Sequence, residues 1–218
     1  MEGRKGEDAH DLTVYDLNQR RLIDEEITRR TIDFMKRGVA DGKPFYAYVP
    51  YTLVHFPSLP NPKFEGKTGY GDFPDCLAEM DAHVGDLLAA VDSLGIRDKT
   101  IVIFTSDNGP EATWPWQGSS GPWRGYCFTH MEGSLRAPFI IRWSGHVPAG
   151  RVSNQIVHEA DTFTRPCRGC GRGRPACPFR WLCGESPERC ASSRVVLESD
   201  RQHSALRRRG GVARRAPP

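Results

Sequence analysis

The sequence has no run approaching the roughly 20 consecutive apolar residues that a membrane-crossing helix needs, so no transmembrane segment and no membrane partner are expected. Its first residues, Met-Glu-Gly-Arg-Lys-Gly-Glu-Asp, contain no apolar stretch, so they are not read as a secretory signal, and the location is left open. No internal repeat is visible. Lysine is absent from residues 165–218, which carry 13 arginines against 4 acids. Residues 1–164 carry 17 Lys and Arg against 23 acids, so an overall charge of +3 hides an acidic part of −6 and a basic part of +9. Five of the seven cysteines also fall in the basic part, at 167, 170, 177, 183 and 190. A break this sharp places a boundary near Thr164.

The basic part lacks the second Cys-x-x-Cys pair that a structural zinc site would need after Cys167 and Cys170. An arginine-rich arm could bind nucleic acid, but this one has no lysine and little apolar periodicity, and no nucleic-acid partner is expected. Its wealth of Arg, Pro, Gly, Ala and Cys matches what an out-of-frame reading of GC-rich DNA yields. Residues 165–218 are therefore expected to be a disordered tail sharing no core with residues 1–164.

Residues 1–164 are organised differently. Ile23, Ile27, Thr31, Phe34 and Met35 recur at helical spacing, with acids at the start and Arg and Lys later, as a helix dipole favours. Gly38 and Gly42 weaken its end. Phe45 to Val49 is a short apolar run between Pro44 and Pro50 and predicts a buried strand. Residues 51–74 are rich in Pro and Gly and predict a long loop. Leu77, Met80, Val84, Leu87, Leu88 and Val91 predict a second helix, with Asp75 as N-cap and Gly95 as stop. Thr100 to Thr105 is β-branched and apolar, as a central parallel strand should be, and Phe139 to Trp143 is a third strand candidate. This order of elements predicts α/β layers.

Ligands in open α/β sheets bind beyond the carboxyl ends of the strands. The first predicted strand leads to Tyr51-Thr-Leu-Val-His55, the second to Ser106-Asp107-Asn108-Gly109. Asp107 and Asn108 offer a carboxylate and an amide oxygen, donors suited to Ca²⁺ or Mg²⁺ more than to zinc. Taken alone, Asp-Asn-Gly is also a common turn, and a single histidine is most often structural.

Four segments, in order, change that balance: Lys43-Pro-Phe-Tyr to His55, Glu79-Met-Asp81-Ala-His-Val-Gly85, Lys99-Thr-Ile-Val-Ile-Phe-Thr-Ser-Asp107-Asn108-Gly109, and Arg124-Gly125 followed by Glu132-Gly-Ser-Leu-Arg136-Ala-Pro138. Over residues 20–164 the set resembles the central and later part of a sulfatase catalytic domain, of the arylsulfatase type. The resemblance implies an incomplete alkaline-phosphatase-like α/β/α sandwich. It implies hydrolysis of a small-molecule or glycan sulfate ester, helped by Ca²⁺ (Mg²⁺ less readily) and a formylglycine. In that frame Asp107 and Asn108 would be metal ligands, and His55 would contact the sulfate or protonate the leaving oxygen.

The chain departs from the family pattern in three places. The segment that supplies the nucleophile motif, Cys/Ser-x-Pro-x-Arg, and the paired metal aspartates is not found here, so the activity is expected to be incomplete in this chain. Cys127 stands where many members have a lysine. Ser120-Gly-Pro122-Trp-Arg124 fits the motif formally but follows the metal turn instead of preceding it, and a plain Gly/Ser/Pro loop explains it. A phosphodiesterase or phosphonate hydrolase of the same superfamily, or a non-catalytic remnant, is the alternative reading. Nothing in the sequence fixes an oligomeric state.

Overall fold

The structure is a computed structural model that describes residues 6, 8 and 11–158 and the backbone of 194–198. A short helix, α1 (Leu17–Arg20), starts at Asp16, whose Oδ1 accepts from the Gln19 N–H at 2.8 Å. The long helix α2 (Ile23–Ala40) follows, with Asp24, Glu25 and Glu26 in its first turn and Arg37 in its last. Hydrogen bonds from Arg29 and Arg30 hold the Glu26 carboxyl down at about 2. Gly42, at φ 64, takes the left-handed turn that lets the chain leave this helix. β1 (Tyr46–Tyr48) comes next.

α3 (Asp72–Ser93) begins three residues before the expected N-cap. Asp75 does not cap it. Its carboxylate accepts from the Gly66 N–H at 2.7 Å, the Thr68 N–H at 2.9 Å and the Thr68 hydroxyl at 2.6 Å, and so ties down the preceding loop. Those bonds, the Thr68 hydroxyl first, hold the Asp75 carboxyl below its ordinary range. Gly95, at φ 66, ends the helix as expected. β2 (Thr100–Thr105) coincides with the predicted strand. A single-turn helix α4 (Glu132–Leu135) and β3 (Phe139–Arg142) complete residues 11–158.

A further strand, β4 (Arg194–Glu198), lies between β1 and β2 and is parallel to both, while β3 runs antiparallel on the far side of β2. β4 falls within residues 165–218, the stretch expected to share no core with residues 1–164. Val195, Val196 and Leu197 form a β-branched, apolar run that the arginine-rich composition around them concealed. The cysteines at 167–190 lie outside the described residues.

Met35 of α2, Ala47 and Val49 at β1, and Leu87, Ala90 and Val91 of α3 form one buried cluster with Tyr51 and Ile96. This is the α/β arrangement predicted from the element order, with α2 and α3 packed together over β1. The buried face of α3 is rotated from the apolar stripe and includes Glu79 and His83. Leu77 is 40% exposed and lines a cavity instead.

Candidate active site

The segment after β1 is held from behind by side chains of three helices. Asp24 is 2% exposed, and its carboxylate accepts from the Thr52 N–H at 2.7 Å and the Thr52 hydroxyl at 2.6 Å. The Arg20 guanidinium donates to the His55 carbonyl at 2.8 Å, and Arg21 to the Pro60 carbonyl at 2.7 Å. Buried Glu79 accepts from the Asn61 N–H at 2.7 Å. The Leu53–Val54 and Phe56–Pro57 peptides are cis. All of these hydrogen bonds but that of the Thr52 hydroxyl satisfy a main-chain group that the irregular loop leaves without a ladder partner.

That scaffold presents His55. Its Nδ1 lies 2.7 Å from the Phe56 carbonyl. A carbonyl only accepts, so Nδ1 is the protonated nitrogen and Nε2 is the one left for chemistry. Nε2 sits 3.7 Å from Glu111 Oε1, a charge pair whenever the imidazole is protonated.

After β2 the chain turns through Ser106, Asp107 and Asn108. The Asn108 amide nitrogen donates to the Gly109 carbonyl at 2.8 Å, which leaves its Oδ1 as an acceptor. The turn is fastened by main-chain bonds: the Gly109 N–H donates to Ser134 at 2.7 Å, and the Cys127 N–H to Pro110 at 2.8 Å. Gly109 is required here. A Cβ on it would lie 1.9 Å from the Gly133 carbonyl oxygen, and one on Gly133 would lie 2.2 Å from that of Gly125. The Arg124-Gly125 and Glu132-Gly133 pairs of the sequence are thus one close packing of backbones against the Asp107 turn.

His55, Asp107 and Asn108 line one cavity of about 420 Å³, together with Glu111, Cys127 and Arg136. The carboxyl ends of β1 and β2 lie on the same edge of the sheet, since both strands run parallel to β4, which lies between them. Glu111 escaped the sequence reading, although it stands only four residues past Asp107. Burial pushes the Cys127 thiol up, and Glu111 and Asp107 add to the effect. A neutral thiol therefore occupies the place where the resemblance puts a lysine. Arg136 is the one Lys or Arg among the described lining residues; it pairs with Glu132 and lies 4.0 Å from the Trp123 ring centre.

As a site for a hard cation the donor set is partial. Asp107 and Asn108 are oxygen donors of the right kind, but two side chains fill only part of a shell of roughly six to eight oxygens. Among the described residues no group of three or more His, Cys, Asp or Glu could hold a metal ion. Ser120 also lines the cavity, and its hydroxyl donates to the Trp123 carbonyl at 2.7 Å.

The cavity thus lies beyond the carboxyl ends of two strands of an α/β sheet, where such sheets place their ligands. Residues 5–165 match the family model described as Sulfatase, and the chain belongs to the sulfatase family. It is 37% identical over 150 residues to an N-acetylgalactosamine-6-sulfatase of Canis lupus familiaris, across 68% of this chain and 29% of the relative. It is 38% identical over 130 residues to an arylsulfatase A of Bos taurus, across 59% of this chain and 25% of the relative. In structure it is similar to the PsFucS1 sulfatase from Pseudoalteromonas sp., with a TM-score of 0.72 and 34% identity over 76% of this chain and 34% of that one. The chain thus spans about a quarter to a third of the length of these proteins.

Proposed function

We propose that this chain carries part of the active site of an enzyme that hydrolyses sulfate esters, and that the cavity shared by His55, Asp107 and Asn108 receives the sulfate. The observation that supports this reading is the meeting of the two strand-end segments at one cavity, in a chain of the sulfatase family. With Nδ1–H committed to the Phe56 carbonyl, His55 offers Nε2 to a sulfate oxygen, or, once protonated, to the departing alcohol oxygen. Asp107 and Asn108 would supply two oxygens to a Ca²⁺ ion, the rest of its shell coming from outside the described residues. When bound, such an ion neutralises charge on the sulfate oxygens. Sulfatases generally also use a formylglycine. Ser120 is not read as its source, because its motif follows the Asp107 turn. The substrate is a sulfate ester of a small molecule or glycan.

The test is titration of the 218-residue chain with methyl sulfate in excess Ca²⁺, followed by NMR. Asp107→Ala and His55→Ala should each weaken binding, roughly tenfold if a charge-assisted contact is lost. Equal binding by all three proteins would place the sulfate site elsewhere. Tighter binding of dimethyl phosphate than of methyl sulfate would favour the phosphodiesterase reading.

A further inference from the structure

The cavity has one lining residue whose backbone is unsuited to its side chain. Tyr126, Cys127, Phe128 and Thr129 form a tight turn, closed by the Thr129 N–H donating to the Tyr126 carbonyl at 3.1 Å. Phe128 stands at the third position of that turn with φ 69, and among the described residues it alone has positive φ without being glycine. That position of such a turn favours glycine or asparagine, and a bulky side chain there is strained. The phenyl ring gains little within the protein in return, since Phe128 is 87% exposed. It nevertheless lines the cavity with His55, Asp107 and Asn108. The same cavity has apolar lining from Phe73, Leu77, Met80 and Trp116.

A strained backbone carrying an exposed aromatic ring in the lining of this cavity has an economical physical explanation: the ring meets a bound ligand. We propose that Phe128 is a specificity-determining residue, which takes against its face the ring that carries the sulfate group. This rests on the reading of the cavity as a sulfate ester site and deepens it. The ligand class is a sulfate monoester borne on a ring with an apolar face, either an aromatic ring or the C–H face of a pyranose. A bare alkyl sulfate would reach the polar end of the cavity and gain nothing from Phe128.

The turn makes the test selective. Phe128→Gly removes the ring and also installs the residue the turn favours, so stability should be kept or raised while ring recognition is lost. The 218-residue chain and its Phe128→Gly and Phe128→Tyr variants are titrated with 4-nitrophenyl sulfate, glucose 6-sulfate and methyl sulfate in excess Ca²⁺, and thermal unfolding is recorded for each. Phe128→Gly should weaken 4-nitrophenyl sulfate or glucose 6-sulfate by about three- to tenfold, the usual range for an aromatic contact. Methyl sulfate should be unaffected, and Phe128→Tyr should restore the loss. Whichever ring ester loses more identifies the kind of ring preferred. Ring esters bound equally by the wild type and Phe128→Gly would overturn the proposal and leave the sulfate site standing. A lowered Tm with all three ligands weakened would overturn it too, by showing a structural role. Failure of every ester to bind the wild type would sink the sulfate site itself, and Phe128's role with it.

Discussion

Carboxylates in the first turn of a helix ordinarily face water, where the dipole favours them. Asp24 has turned inward, so that its two oxygens close on Thr52. Burial raises its carboxyl above the ordinary value of 3.8, against the opposing effect of the Thr52 bonds. A group whose folded pKa is raised binds its proton more tightly when folded. Its contribution to stability is therefore complete below 3.8 and is lost as pH rises through the raised value. Asn in its place does not titrate and keeps one acceptor for the Thr52 N–H, while its amide N–H would require the Thr52 hydroxyl to turn and accept, at a cost of about 1 kcal/mol. The stability advantage of the wild type over Asp24→Asn should thus narrow as pH rises from 3.8 towards neutrality. Urea unfolding of both proteins across that range measures it, and an advantage that widened with pH would contradict the assignment.

At the scale of elements, the loop after β1 is ordered by long-range polar bonds more than by its own packing. Arg20 reaches the His55 carbonyl across 35 positions of sequence, and Glu79 reaches Asn61 across 18. Arg20→Ala should speed amide exchange around His55 about tenfold or more, the effect of losing a charged hydrogen bond in a locally opening segment. Amides in the middle of α3 should be unchanged. Mass spectrometry of deuterium uptake separates the two, and a uniform increase would mean global destabilisation. These ties also mark what was legible in the sequence. β2 was, because Thr100 to Thr105 is a bounded β-branched run. The His55 and Asp107 segments were, because each directly follows a strand. Asp24, Glu79 and His83 were not. They are polar residues on buried faces, and polarity alone reads as solvent exposure until the partners across the loop are known. Glu111 was missed for a similar reason: its nearness to His55 is set by the fold and not by spacing.

For the whole molecule the decisive fact is proportion. Of the groups proposed here for sulfate and metal, the described residues place His55, Asp107 and Asn108 at the cavity, and the chain matches about a quarter to a third of its relatives' length. The 218-residue chain by itself should therefore release no appreciable nitrophenol from 4-nitrophenyl sulfate in Ca²⁺, and Ser120→Ala should be indistinguishable from it. Residual acceleration from positioning alone remains compatible with this. Robust turnover abolished in Ser120→Ala would make Ser120 the nucleophile after all, whereas robust turnover kept in the variant would show that the described groups suffice.

The fastening of the Asp107 turn to residues 124–134 has a consequence for how this surface can change. Its joints are main-chain N–H groups and carbonyls at Gly109, Arg124, Cys127 and Ser134, with glycines where the strands of backbone touch. Main-chain joints do not depend on side-chain identity, so the intervening positions Tyr126 to His130 are open to drift while the frame stays fixed. Such a segment is a natural place for divergence in ligand choice among related enzymes. It is also the stretch that a combinatorial library could randomise, with the three glycines kept, to seek new ligands without rebuilding the fold.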